Sequence, residues 1–272
     1  MRRDAIPGRS LALGTTIAVV ALLVLIPLAI VVATAGGNGA GELAPALLSP
    51  RALAAFRLTF VASIAAALVD LAAGTFVAWV LVRRHFAGTW LLDLLVDVPL
   101  AIPTAVTGIA LATLYGAHGW AGSILESHGI HIAYTAYGVW LALAFVGFPF
   151  VVRAVQPVLA ALPHEFDEAA ASLGAEAFAT LRRVTLPLLL PAMLTGFALA
   201  LARALGEYGS VIFISGNMPL RTEIAPLLIV TRLEEYDYRG AAAIAAVLLG
   251  GSLVLLLAIN LLQRRVATLR AR

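Results

Sequence analysis

The sequence predicts an all-α integral membrane protein with six transmembrane helices. Three observations carry that expectation. Of the 272 residues, 62% are hydrophobic and only 12% are charged, too apolar a balance for a soluble domain of this length. Several apolar runs reach the roughly 20 residues that a helix needs to cross a bilayer core. The arginines between those runs are shared unevenly between alternate connections, the pattern that sets orientation in a membrane. There is no cysteine, which excludes disulfides, thiol chemistry and thiolate metal sites. All 18 basic residues are arginine. A net charge of +3 on so apolar a chain is no argument for nucleic-acid binding.

The first apolar run, about Leu11 to Ala33, follows Arg2, Arg3 and Arg9. It is longer than the apolar core of roughly 7–15 residues in a signal peptide. A retained first helix is therefore expected, although Ala33-Thr34-Ala35 resembles a cleavage site. Gly36 to Gly41 lacks the Gly-Lys-Ser/Thr of a phosphate loop and reads as a flexible connection. Ser49-Pro50 pairs a cap with a first helical position, the start of a short surface helix. The second span, about Leu58 to Val82, is followed at once by Arg83, Arg84 and His85. The third, about Leu94 to Leu114, contains Pro99, Pro103 and Gly108, whose freed carbonyls neighbouring helices must accommodate. The fourth, about Ile132 to Val152, ends at Arg153.

Between the fourth and fifth spans lies the longest polar-bearing segment between apolar runs, a helix, a turn and a second helix. Pro163 suits a first helical position, and Glu165, Asp167 and Glu168 suit the positive end of the helix dipole. Phe166, Ala169, Ala170 and Leu173 follow i, i+3, i+4, i+7 spacing and form one small apolar face. Gly174 fits the left-handed cap. The second helix runs from about Ala175, carries Arg182 and Arg183 in its last turns and is expected to stop before Pro187. The apolar face packs either on the chain's own membrane domain or on a docking partner.

The fifth span is about Leu188 to Ile214 and ends at the turn Gly216-Asn217. Ile224 to Glu235 reads as a short re-entrant or surface helix. Tyr236, Asp237 and Tyr238 mark an interface before the sixth span, about Gly240 to Leu262. Six spans put both termini on one side. Arg2, Arg3, Arg9, Arg83, Arg84, Arg153, Arg182, Arg183, Arg264, Arg265, Arg270 and Arg272 share that side; Arg51, Arg57, Arg221, Arg232 and Arg239 lie opposite. Twelve arginines against five put the termini and the hairpin in the cytoplasm.

Ionisable groups inside spans are functional candidates. Asp70, near the middle of the second span, either bonds a hydroxyl or backbone amide of a neighbouring helix or lines a pathway. Asp93 and Asp97, one turn apart at the start of the third span, suit its dipole. Arg203 and Glu207 are also one turn apart and can pair. At about 1.5 Å per residue Arg203 is roughly 22 Å from Leu188, beyond the middle of the bilayer core. The pair serves either structure or an outer gate that meets an anion. Arg203 is the only arginine placed inside a span, which favours brief passage of an anion over tight binding.

Two sets of motifs carry a resemblance. Glu168-Ala169-Ala170, Gly174 and Val184-Thr185-Leu186-Pro187 resemble the EAA loop of bacterial ABC importer permeases, with Val184 where isoleucine is common. Pro99 to Gly108, Gly206-Glu207-Tyr208-Gly209, Gly216-Asn217-Met218-Pro219, Thr222 to Pro226 and Glu234 to Tyr238 are similar to the sulfate/molybdate permease family, in particular to T-type sulfate/thiosulfate subunits. The likeness covers about Arg57 to Leu262. It implies a type I ABC importer permease fold with a cytoplasmic coupling helix at Phe166, Glu168, Ala169, Ala170, Leu173 and Gly174. Residues 1–55 are then an N-terminal helix and periplasmic connection, 56–263 the core with its EAA loop at 163–187, and 264–272 a basic tail. The resemblance also implies partners: two copies of an ABC ATPase, a second related permease and a periplasmic sulfate/thiosulfate-binding protein. It implies a location in the bacterial inner membrane. The chain itself would be no enzyme and hold no cofactor, ATP and Mg belonging to the ATPase; no Walker sequence is present.

Molybdate or tungstate is the rival substrate, since molybdate permeases share the EAA pattern. An ion-coupled secondary anion transporter would need Asp70 or the Arg203–Glu207 pair to bind a coupling ion, and often inverted repeats. A membrane enzyme would need clustered ligands or a nucleophile with its base, whereas His85, His118, His128, His131 and His164 are scattered.

Overall fold

The computed structural model describes residues 9–37, 45–84, 86–163 and 165–270. Arg2, Arg3, Gly39, Gly41, His85, His164 and Arg272 lie outside the described residues, as do the side chains of Arg9, Asp167 and Arg270. Every regular element among the described residues is helical.

The first apolar run forms α1 (Arg9–Val20), a five-residue π turn (Ala21–Leu25) and α2 (Ile26–Gly36). It is exposed along most of its length, as suits a lipid-facing span. Helix α3 (Pro50–Arg83) is 34 residues long. The Ser49 hydroxyl accepts from the Ala52 amide and Pro50 opens the helix, so the cap is where the sequence put it. The expected surface helix is not separate, because nothing between Pro50 and Leu58 interrupts the hydrogen-bond ladder and the two merge into one rod.

The third span is broken. Helix α4 (Thr89–Ala101) and α5 (Thr104–Tyr115) meet at a bend of 112°. Ile102, preceding Pro103, is extended at φ −86°, ψ 133°, because a proline disfavours helical backbone at the residue before it. A straight span from Leu94 to Leu114 is thus corrected to two helices around a corner. A short α6 (Trp120–Glu126) follows. The fourth span is α7 (Ala136–Ala160).

Helix α7 is the most deeply buried span. It lies between α3 and α10 (Leu186–Leu205), and small residues let the three backbones approach. A Cβ on Gly74 of α3 would meet Val151 Cβ at 2.8 Å, and one on Gly196 of α10 would meet Val151 Cα at the same distance. Val151 is fully buried between them. Four residues along α7, Gly147 faces the Asp70 carboxyl of α3 and Ala200 of α10. Ala67, Val152, Val155, Leu159, Leu189 and Leu201 complete this core.

The fifth span is also broken. Helix α10 ends at Leu205, and α11 (Gly209–Ser215) starts after Tyr208, at φ −130° and ψ −52°. A continuous helix from Leu188 to Ile214 is therefore corrected to two segments. Gly216 and Asn217 take φ of 68° and 46°, so the expected turn is there. Helices α12 (Ala225–Glu234) and α13 (Tyr238–Arg270) follow. By length and composition, five helices among the described residues can cross a membrane, six if the bent α4–α5 pair counts as one span.

Candidate functional site

The hairpin between α7 and α10 is built from local signals. Helix α8 (Glu165–Ser172) is eight residues long. Gly174 takes φ +78°, and its amide donates to the Ala171 carbonyl while that of Ala175 donates to Ala170. These two bonds satisfy carbonyls that the end of α8 would otherwise leave bare. Phe166 is 48% exposed and Leu173 is 87% exposed. Glu168 and Ala169 are exposed and Ala170 is half-buried. The apolar face therefore does not pack on this chain's membrane domain.

The second arm differs from the expectation. Helix α9 (Ala177–Thr180) continues through a π turn (Leu181–Thr185) directly into α10. The chain does not stop before Pro187. The widened turn leaves room where the proline lacks a donor and would crowd the preceding carbonyl. From α9 onward the hairpin is one continuous helical path into a membrane span, and α8 is joined to it by the turn at Gly174.

Inside the membrane region, Asp70 is 2% exposed and its Oδ2 has no hydrogen-bond partner. That oxygen lies against Gly147, where the sequence suggested a hydroxyl or amide. The carboxyl thus sits in the seam between α3, α7 and α10.

Arg203 near the end of α10 and Glu207 in the break beyond it do pair, with side-chain exposures of 31% and 1%. Glu207 also accepts from the amide of Ser210 at 2.9 Å and its hydroxyl at 2.8 Å. Its carboxylate therefore caps α11 across the break in the fifth span. The breaks in the third and fifth spans are neighbours. A Cβ on Gly108 of α5 would collide with the backbone of Ser210, and one on Gly209 with the Thr104 hydroxyl. The half-buried Arg203–Glu207 pair, α5 and α11 thus meet at one joint, while Asp70 packs elsewhere in the bundle. Arg203→Ala would leave the Glu207 carboxylate buried without its cation, a change that costs about 3–5 kcal/mol in buried pairs. We expect a sharp fall in folded protein, read as monodisperse yield and melting temperature in detergent, with partial recovery in Arg203→Lys. Wild-type yield and melting in Arg203→Ala would show that the ion pair is incidental.

Two ion-pair clusters have pairings that the sequence does not reveal. Arg153 of α7 donates to Asp97 Oδ1 at 2.8 Å and Oδ2 at 2.6 Å, and to Asp93 Oδ1 at 2.7 Å. Gln156 joins them. Asp93 and Asp97 therefore lock α4 to α7 rather than only serving the helix dipole. At the other end of the bundle Arg51 forms a two-pronged pair with the buried Glu223 at 2.8 and 2.7 Å, and Thr59 accepts from the Ala225 amide. These contacts hold the segment before α12 on α3. Only the charge of each residue is visible in the sequence; the partner is set by packing. Among the described residues no group of His, Asp and Glu side chains has the arrangement of a metal site.

Residues 70–268 match the family described as binding-protein-dependent transport system inner membrane component. The chain is similar to the sulfate transport system permease protein CysT of Salmonella typhimurium, 43% identical over 263 residues and covering 97% of this chain and 95% of that one. It is 47% identical to the protein of the same name from Synechocystis, over 92% of this chain and 87% of that one. In fold it is similar to a chain of the bacterial alginate ABC transporter solved with an alginate pentasaccharide-bound periplasmic protein, with a TM-score of 0.77 at 16% identity and 94% coverage of both chains.

Proposed function

Because the chain belongs to the family of binding-protein-dependent transport system inner membrane components, we propose that its exposed hairpin is the point at which a separate ATPase drives it. The chain is a multi-pass membrane permease subunit of a sulfate ABC importer. It is a transport subunit and not an enzyme. Two ATPase copies dock on the cytoplasmic side, a second related permease completes the pathway, and a periplasmic binding protein delivers sulfate or thiosulfate from outside. ATP and Mg reside on the ATPase, and this chain holds no cofactor. The twelve-to-five division of arginines supports termini and hairpin in the cytoplasm of an inner-membrane protein.

The continuity of α9 with the fifth span supports a cycle driven from the hairpin. Closure of the ATPase dimer shifts α8. The shift passes through the turn at Gly174 to α9, which continues through the π turn into α10, and so into the fifth span and to the joint at Arg203 and Glu207. That joint, where two broken spans meet, is our candidate gate. Asp70 keeps the α3–α7–α10 seam in register during the movement. A single observation carries this reading: α8 is capped by Gly174 and presents Phe166 and Leu173 outward, exposed among the described residues.

Phe166→Asp places a charge at the N-terminal end of that face, in place of its aromatic residue. Truncation or charging of an aromatic anchor costs about 2 kcal/mol at an interface. We expect co-purification of the ATPase to fall by more than tenfold while the chain itself remains in the membrane at normal level. Unaltered co-purification and sulfate uptake would remove the docking face from the account.

A further inference from the structure

Helices α7 and α10 close on each other where Val151 meets Gly196. Beside that contact they form the walls of a groove of about 550 Å³. Phe150, Arg153 and Val158 line it from α7, and Leu188, Thr195 and Leu199 from α10. Val158, Leu188, Thr195 and Leu199 are exposed, so the groove is open along one side. From Leu188 to Leu199 it follows α10 for about 16 Å, at about 1.5 Å per residue, or roughly half of a bilayer core. Thr195, Leu199 and Arg203 stand four residues apart and therefore in one row on α10, so Arg203 lies one turn beyond the groove. Its half-buried guanidinium meets Glu207 through Nη1, whereas the carboxylate is fully buried and is also held by Ser210. The pair thus turns its positive member outward, and a guanidinium has more N–H donors than the one this bond uses. At the inner level Arg153 is balanced by Asp93 and Asp97. That cluster, one arginine against two aspartates, carries no surplus positive charge. Thr195 donates its hydroxyl to the Pro191 carbonyl, and the other walls of the groove are apolar.

An anion that crosses a membrane must be attracted strongly enough to enter and weakly enough to leave. We propose that the row from Arg203 through Leu199 and Thr195, with the groove beside it, is this chain's wall of the translocation pathway, along which a tetrahedral oxyanion passes. Arg203 draws the anion from the joint between the two broken spans. The apolar walls give it no partner that would stop it, and the balanced Arg153 cluster does not hold it at the inner level. A second permease facing the groove closes its open side. The proposal rests on the transport role given above and deepens it, and it is independent of which oxyanion is carried.

The chain has no cysteine, so single cysteines report on one position each. The test places Thr195→Cys and Leu199→Cys in the groove, and Leu68→Cys and Val254→Cys at exposed apolar positions that do not line it. The assembled transporter in lipid vesicles is treated with an anionic reagent, 2-sulfonatoethyl methanethiosulfonate, and with its cationic trimethylammonium counterpart, and labelling of this chain is read by mass. The two groove cysteines are expected to react about tenfold faster than the two controls, because a thiol in a water-filled path ionises and one against lipid does not. Their modification is expected to block oxyanion uptake, and that of the controls to leave it unchanged. At Leu199→Cys the ratio of anionic to cationic labelling is expected to fall about threefold when Arg203→Gln and Glu207→Gln are added together, since a unit charge one turn away acts on the two reagents in opposite senses. The paired change leaves no unmatched charge at the joint. Groove cysteines as slow as the controls would show lipid or a partner helix seated in the groove and overturn the pathway, whether or not the paired variant folds. Fast labelling with an unchanged ratio in the folded paired variant would overturn the role of Arg203. Blocked uptake of molybdate in place of sulfate would uphold the pathway and refute the assignment of sulfate.

Discussion

Gly147→Ala is expected to lower the stability of this protein strongly. The added Cβ would collide with Asp70 Oδ2 and lie 3.4 Å from Ala200 Cβ. Gly147, Asp70 and Ala200 are all buried where α3, α7 and α10 meet. Overpacking of a close-packed interior costs typically about 1–3 kcal/mol, and here the displaced atom is a carboxylate oxygen with no partner to follow. The folded fraction in detergent and the melting temperature should both fall. Asp70→Ala introduced together with Gly147→Ala removes the colliding oxygen. The pair should therefore be markedly less harmful than the sum of the single changes, a coupling that a double-mutant cycle measures directly. Additive losses would mean that the seam relaxes without regard to Asp70.

The second large effect is expected from Gly174→Val. At φ +78° a β-branched residue is strained by about 1–3 kcal/mol. Nothing lies within 4 Å of the position where its Cβ would be, so the penalty comes from the backbone alone. Helix α8 has only eight residues, too few to hold a helix by propensity, and it has little packing to absorb the strain. The cap therefore opens and the Phe166–Leu173 face loses its geometry. We expect normal membrane insertion, a loss of ATPase co-purification of roughly tenfold, which corresponds to about 1.4 kcal/mol, and restoration by Gly174→Asn, since asparagine tolerates the left-handed region. Co-purification equal to wild type in Gly174→Val would remove the main support for docking through this turn.

The contrast between these two glycines shows which features a sequence displays. Gly174 was legible because its role is local: a short amphipathic stretch, acidic residues at its start and a glycine after its last apolar position describe a capped helix by themselves. The apolar spans were legible for the same reason, since length and hydropathy suffice. Gly147 was not legible, because its role is defined by Asp70, 77 positions earlier in the chain, and by the approach of α10. The two helix breaks divide in the same way. Pro103 carries a visible warning, yet nothing local sets the 112° of the corner. The break at Gly206–Tyr208 is stabilised by Glu207 capping Ser210 and by the contact of Ser210 with Gly108. The second of these is a tertiary contact, and it turns an apparently continuous span into two. The Arg153 cluster was half legible. Its three charges were seen, but Asp93 and Asp97 suit both a helix dipole and a cationic partner, and only packing of α4 on α7 decides between them. At the hairpin's second arm, Pro187 reads locally as a stop, whereas a π turn carries the helix past it.

The most direct measurement is uptake of labelled sulfate in cells lacking this chain, with and without the gene restored and with molybdate as competitor. The account predicts that uptake is lost without the chain, returns with it, does not return with the Gly174→Val variant, and is insensitive to low molybdate. Intact sulfate uptake in the deleted cells, accompanied by loss of molybdate uptake, would contradict the assignment of sulfate.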